Sequence, residues 1–229
     1  MKRKKLAIAA LAASLAVGTL AAQPAKAAST SLVIGSVLDI DKLDPHTATN
    51  FATVRALGLV YSSLVEVGPA NKLKTGLASA WQFSADGKTL KLTLREGVKF
   101  HDGSTFDAVD AKASLERILD TKTGAAARAN IATITSITAA GRYLTLNLSV
   151  SNIPILAALD GVNMAMLSST DIAAGKVGGT NKPNGTGAFK YVSWEPTQSV
   201  KLSANADYWM GEPKISDITI RVIPTEASI

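Results

Sequence analysis

The stretch GVKFHDGSTFDAVDAKASLER, residues 97–117, holds the side chains in this sequence that are best suited to chemistry. His101 stands beside Asp102, and Asp107 and Asp110 follow before an apolar repeat of helical spacing begins. A histidine next to carboxylates can act as a general base or bind a metal ion. The chain offers few partners for either role, because His46 is its only other histidine, it has no cysteine, and no His-Glu-x-x-His pattern occurs.

The same residues also fit structural roles. Asp102-Gly103 is a turn dipeptide, and Asp107 stands directly before the helical stripe, where its carboxylate can accept the free N–H groups of the first turn. Asp110 is favoured at that end by the helix dipole. We therefore interpret His101 as a hydrogen-bonding residue at a strand end, and we predict no catalytic residues, metal ligands or cofactor. A hydrolase that uses His101 and Asp102 is the alternative.

The spacing of apolar residues predicts the strands and the helix around this stretch. Leucines alternate in TLKLTLR, residues 89–95, and in RYLTLNLS, residues 142–149, which predicts two half-buried strands launched by the turns Asp86-Gly87 and Ala140-Gly141. Between them, a helix is predicted from Ala108 onward by its apolar stripe. Two such strands and a helix predict a small α+β unit with antiparallel pairing.

Six further segments complete the coarse secondary structure. Residues 32–34 predict a buried strand, and an apolar stripe predicts an amphipathic helix from Thr53 to Val65. The glycines between Gly175 and Gly187 lack the spacing of a phosphate-binding loop and are interpreted as a flexible crossover. FKYVSW and SDITIRVIP predict strands, with the loop NADYWMGEPK between them.

The N-terminus has the pattern of a secretory signal peptide. A basic MKRKK precedes a 17-residue apolar run, Pro24 and the small-residue boundary Ala25-Lys26-Ala27. The run is too short and Ala-rich for the competing interpretation, a membrane anchor. We predict cleavage after Ala27 or Ala28 and an extracytoplasmic product, which carries no lipid anchor because the chain has no cysteine.

The charge balance follows from that segment. Residues 1–27 hold five of the 24 basic residues and no acidic one, which leaves 19 basic against 18 acidic residues. A near-neutral remainder argues against a nucleic-acid partner.

Four blocks of sequence resemble one family in the order in which they occur. They are LDPH at residues 43–46 with LVYSSLVE at 59–66, LASAWQFSADGKTLKLTLREGVKFHDGSTFDAVDAKASLERIL at 77–119, PNGTGAFKYVSWE at 183–195, and LSANADYWMGEPKISDITIRVIP at 202–224. These blocks are similar to the family 5 extracellular solute-binding proteins, the peptide- and nickel-binding receptors of ABC importers.

The resemblance implies a mixed α/β protein of the periplasmic-binding-protein-like class II two-lobe fold. It places residues 28–66 and 176–229 in lobe I, and residues 67–175 in an α+β subdomain inserted into that lobe. Family members are longer, so we expect an incomplete first lobe, an absent second lobe, a fragmentary chain, and weak solute binding by the 229-residue chain alone.

The expected function is delivery of a peptide or similar small organic solute to the membrane permease of an ABC importer, by a monomer. Nickel-type relatives place a tryptophan and an arginine where AAAR, residues 125–128, and GVNM, residues 161–164, align here, which makes a metal chelate the less favoured ligand. A secreted structural or chaperone-like domain is a further alternative.

The resemblance also implies where solute contacts lie, namely on loops that leave the first strand and on the subdomain wall. We predict Ser36, Val37, Leu38 and Asn163 as solute-binding residues. The structural alternatives are that Val37 and Leu38 belong to the core and that Asn163 forms a turn.

Overall fold

The computed structural model describes residues 30–224, so the predicted signal peptide and its cleavage site lie outside the described residues. Two sheets of four strands dominate this part of the chain. The helices are α1 (Phe51–Leu57), α2 (Ala108–Leu119), α3 (Ile155–Ala158) and α4 (Ser169–Ala173). The strands are β1 (Ser31–Ser36), β2 (Val65–Val67), β3 (Leu73–Thr75), β4 (Ala78–Phe83), β5 (Thr89–Leu94), β6 (Ile134–Ala140), β7 (Tyr143–Leu148), β8 (Phe189–Glu195), β9 (Ser199–Ala204) and β10 (Asp217–Val222).

The first sheet combines the start of the chain with its later part, in the order β1-β10-β9-β8. Strand β1 runs parallel to β10, from Ser31 opposite Asp217 to Ser36 opposite Val222, and the other pairs are antiparallel. The predicted strands at FKYVSW and SDITIRVIP are confirmed as β8 and β10. Strand β9 was not predicted, since only Val200 and Leu202 mark its buried face.

Strand β1 forms where it was predicted, but the expectation that it is buried is wrong. Leu32 is 39% exposed and Val33 is 59% exposed. The reason is that β1 lies at the edge of its sheet and pairs only with β10 within residues 30–224. Edge strands leave one row of backbone groups and part of both faces open.

The second sheet, β4-β5-β7-β6, is antiparallel throughout and confirms the predicted α+β unit. The alternating leucines pair across strands, with Leu90 opposite Leu146 and Leu92 opposite Leu144, and all four are fully buried. Helix α2 packs Leu115 and Ile118 into the same core. Strands β2 and β3 form a separate hairpin.

The helix predicted from Thr53 to Val65 is wrong beyond Leu57. Helix α1 ends there, and residues 58–60 form a turn that leads into an extended segment, which reaches β2 at Val65; Val60, Tyr61 and Leu64 stay buried. The backbone N–H groups of Gly187 and Phe189 donate to the carbonyls of Val60 and Leu59, both at 2.9 Å. This pairing joins residues more than 120 positions apart in the chain, and it prevents the segment from continuing the helix.

The same contact explains why the crossover is rich in glycine near its end. A Cβ atom at Gly185 would lie 2.0 Å from the carbonyl oxygen of Val60, and one at Gly187 would lie 2.6 Å from it. Only glycine permits so close an approach of two backbones. The crossover therefore contains neither helix nor strand, as predicted, but its end is packed against the extended segment and is not free to move as a flexible linker.

Two hydrophobic cores follow from this arrangement. One joins the second sheet and α2 with buried residues from Leu64 to Met166, and the other joins the first sheet and α1 with residues such as Leu57, Leu167 and Ile218. The predicted boundaries of lobe I at residues 66 and 176 stay a prediction.

Candidate functional site

His101 links the two parts of the fold and is held on both sides of its ring. Its Nε2 lies 3.0 Å from the carbonyl oxygen of Gly187 and donates to it, while its Nδ1 faces the N–H of Gly185 at 3.4 Å. Burial lowers the pKa of His101 below its usual range, which keeps the ring neutral in this arrangement. The side chain thus has the structural role predicted for it.

The three carboxylates near His101 are likewise engaged in structural hydrogen bonds. Asp102 accepts from the backbone N–H and the hydroxyl of Ser104, at 2.9 and 2.6 Å. Asp107 caps α2 by accepting from the N–H groups of Val109 and Asp110, and the Asp110 carboxylate in turn accepts from the N–H of Asp107 at 3.0 Å. This is a reciprocal capping box, which confirms the assignment of Asp107 as a helix cap.

His46 is fully buried where the two cores meet. Its Nδ1 lies 2.9 Å from Nη1 of Arg117, and its Nε2 lies 2.9 Å from the carbonyl oxygen of Ala165. A guanidinium only donates, so Nδ1 accepts and Nε2 carries the proton that it donates to Ala165. Burial, reinforced by the charge of Arg117, lowers the pKa of His46 to about 4.

Arg117 completes this network through a bidentate ion pair. Its Nη1 and Nη2 lie 3.1 and 2.6 Å from the two carboxylate oxygens of Asp44, and the two side chains are 17% and 15% exposed. Arg117 comes from α2 in the subdomain core, whereas Asp44 and His46 precede α1. Asp44, His46 and Arg117 therefore link the two cores. Because both ring nitrogens of His46 and of His101 make structural contacts, neither histidine is available as a catalytic base.

Within residues 30–224, no group of three or more histidine, aspartate or glutamate side chains is arranged to hold a metal ion. No helix in that part of the chain is long and apolar enough to span a bilayer.

An open cavity of about 420 Å³ lies at the carboxyl end of β1, and we call it the β1 cavity. Three of the predicted solute-binding residues, Ser36, Val37 and Leu38, line it. Val37 and Leu38 are 46% and 54% exposed, so they do not belong to a core in the described structure. The remaining lining residues, Ile34, Gly35, Phe51, Ala52, Arg55, Leu59 and Ile220, were not predicted.

The loop that leaves β1 is fixed in place directly after these residues. The carboxylate of Asp39 accepts from the indole N–H of Trp194 at 3.1 and 3.2 Å and from the backbone N–H of Thr197 at 2.7 Å. Asp41 accepts from the hydroxyl of Thr53 on α1 at 2.6 Å. These bonds tie the loop to the sheet and to α1, so that the cavity wall is preformed.

Asn163 lies apart from the β1 cavity. Its side-chain amide donates to the carbonyls of Pro45 and Ala48, both at 2.8 Å, from the short 3-10 helix Val162–Met164. The structure therefore does not bring Asn163 together with the other three predicted residues. Its amide holds the turn before α1.

A second cleft, of about 380 Å³, lies between the His101 turn and the crossover. Three lysines line it, Lys176, Lys182 and Lys190, together with Asp102 and Asp171. Binding sites for small organic solutes are mostly apolar with a few placed polar groups. That description fits the β1 cavity and does not fit this charged cleft.

The described residues form a mixed α/β fold that matches solved periplasmic binding proteins of class II. The profile of the bacterial extracellular solute-binding proteins, family 5 Middle, matches residues 72–229. The chain belongs to this family, as its sequence blocks indicated.

Named relatives agree with this placement. The chain is 32% identical over 201 residues to the glutathione-binding protein GsiB of Shigella flexneri, covering 86% of the chain and 39% of that protein. It is 30% identical over 220 residues to the protein of the same name from Pectobacterium atrosepticum, covering 93% of the chain and 42% of the relative. The chain thus spans about two fifths of the length of these relatives.

Solved structures are similar over the same extent. AgaA from A. tumefaciens R10, in complex with agropinic acid, superposes with a TM-score of 0.81 at 26% identity over 86% of this chain and 40% of its own. MoaA from the same source, in complex with mannopinic acid, superposes with a TM-score of 0.80 at 29% identity, over 88% of this chain and 42% of its own. The ABC transporter-associated periplasmic binding protein DppA of Helicobacter pylori, in complex with peptide STSA, superposes with a TM-score of 0.78. The identity is 26%, over 87% of this chain and 44% of its own.

Proposed function

We propose that this chain forms part of an extracytoplasmic receptor that binds a peptide or similar small organic solute and delivers it to the permease of an ABC importer. The observation that carries the proposal is the β1 cavity, an open and mostly apolar recess with a fixed wall in a chain of the solute-binding family. Similar proteins that bind glutathione, a peptide, agropinic acid and mannopinic acid support a small organic ligand.

The remaining features of the proposal are consistent with secretion and with the absence of catalysis. The signal-peptide pattern and the lack of cysteine support export without a lipid anchor. Both histidines hold hydrogen bonds on each ring nitrogen, which argues against a hydrolase. The receptor would act as a monomer without a cofactor, a metal ion or nucleic acid.

A cavity-filling variant tests the proposal. Ser36→Trp places an indole in the recess, so we expect the affinity for a mixture of tripeptides, measured by titration calorimetry, to fall about tenfold or more. Ser31→Trp is the matched control, because Ser31 lies on the same strand outside the cavity, and it should bind as the unmodified chain does. Equal affinities in Ser36→Trp and the unmodified chain would refute the β1 cavity as the binding site.

A further inference from the structure

The β1 cavity contains a single charged side chain among its lining residues, Arg55. All the others are apolar residues, glycine or serine. A lone cation on the wall of an apolar recess can contact the anionic group of a solute whose apolar part lies in the recess. The charge pattern of the cavity therefore favours solutes with one anionic group beside an apolar portion.

Arg55 is free to make such a contact. Within residues 30–224 it forms no ion pair and no hydrogen bond through its side chain, and its guanidinium carbon lies 5.5 Å from the centre of the Phe51 ring. The two residues are four positions apart on α1 and share one face of it. A guanidinium over a ring still offers its N–H donors in the planar fork that matches a carboxylate.

Asp39 and Asp41, in the loop between β1 and α1, do not neutralise Arg55. Asp39 accepts from Trp194 and Thr197, as described above, and Asp41 accepts from Thr53 and lies 3.8 Å from Nζ of Lys42. Neither carboxylate lines the β1 cavity. The positive charge on this wall is therefore uncompensated within the site.

We propose that Arg55 selects solutes that carry a carboxylate next to an apolar group, by a bidentate contact at the wall of the β1 cavity. This inference rests on the proposed function, since it assigns the ligand class of the same cavity. Phe51 supports the contact in two ways. Its ring lies next to the guanidinium, and because the side chain is 68% exposed it offers an apolar surface to the solute.

A matched pair of fluorescent probes tests the role of Arg55. Pyrenebutyrate and pyrenebutanol share the apolar body and differ in whether they carry a carboxylate. We expect the full chain to bind pyrenebutyrate about fivefold or more tightly than pyrenebutanol, and Arg55→Gln to lose this preference while its affinity for pyrenebutanol stays within about twofold. Arg55→Lys should keep part of the preference, because it retains the charge and loses the fork.

Arg221→Gln is the matched control, because it removes the same charge as Arg55→Gln. Arg221 follows the cavity residue Ile220 on β10 but does not line the cavity, so its loss should leave the preference unchanged. Retention of the full preference in Arg55→Gln would overturn the role of Arg55 and leave the receptor proposal standing. Failure of both probes to bind the unmodified chain, or unaltered binding of both in Ser36→Trp, would overturn the cavity and with it the proposed function.

Discussion

Replacing Arg117 with Met should lower the free energy of unfolding by about 3 kcal/mol, measured by urea denaturation at neutral pH. The substitution leaves the Nδ1 atom of His46 without its donor and leaves Asp44, whose side chain is only 15% exposed, with the backbone N–H of His46 but without its ion-pair partner. Removing one partner of a buried pair costs far more than the pair itself contributes, because the other charge stays desolvated.

Lys112→Met provides the control on the same helix. Lys112 pairs with Glu116 at 3.7 Å, but the two side chains are 38% and 54% exposed, so its loss should change the stability by less than about 0.5 kcal/mol. In an Asp44→Asn and Arg117→Met double variant the cost should be clearly smaller than the sum of the two single costs. If Arg117→Met and Lys112→Met lowered the free energy of unfolding by similarly small amounts, the account of this network as a link between the two cores would be wrong.

Lowering the pH from 6.5 to 4.5 should destabilise the unmodified chain more than a His46→Gln variant. The pKa of His46 is lowered to about 4 in the folded protein, against about 6.5 in the unfolded chain. Between these values the unfolded chain binds a proton that the folded protein does not, so stability falls as the pH falls. The slope approaches about 1.4 kcal/mol per pH unit, so the drop from pH 6.5 to 4.5 removes about 2 kcal/mol of stability.

Glutamine is chosen because its amide can donate to Ala165 and accept from Arg117 without titrating. The measurement is the difference in unfolding free energy between the two proteins at each pH, which cancels the titration of the carboxylates. His101→Gln is a second comparison, since burial also lowers the pKa of His101 and the sign of its contribution is the same. Parallel pH profiles of the unmodified chain and His46→Gln would refute the assignment of a neutral, buried His46.

The subdomain was the part of the fold most readily predicted, because its signals are local. Alternating leucines at 90–94 and 144–148 and the cap at Asp107 each specify their own element within a few residues. The failure at residues 58–65 has the opposite cause. Val60, Tyr61 and Leu64 are buried at helical spacing, yet the partners that fix this segment, Gly187 and Phe189, lie far away in sequence.

The lining of the β1 cavity was predicted in part for a similar reason. The resemblance located Ser36, Val37 and Leu38 at the end of β1, and the structure places all three on one cavity. Phe51 and Arg55 were missed because they lie on the exposed side of α1, and only tertiary packing brings that side next to β1. A charged residue four positions from an exposed aromatic ring was the available sequence signal.

Amide chemical shifts recorded during a titration with tripeptides test the central claim most directly, since they locate the binding site without any substitution. The claim that the β1 cavity is the solute site predicts that the perturbed amides cluster at Ser36, Val37, Leu38, Phe51 and Arg55. Perturbations confined to the charged cleft of Lys176, Lys182 and Lys190, or the absence of any perturbation at saturating peptide, would contradict it.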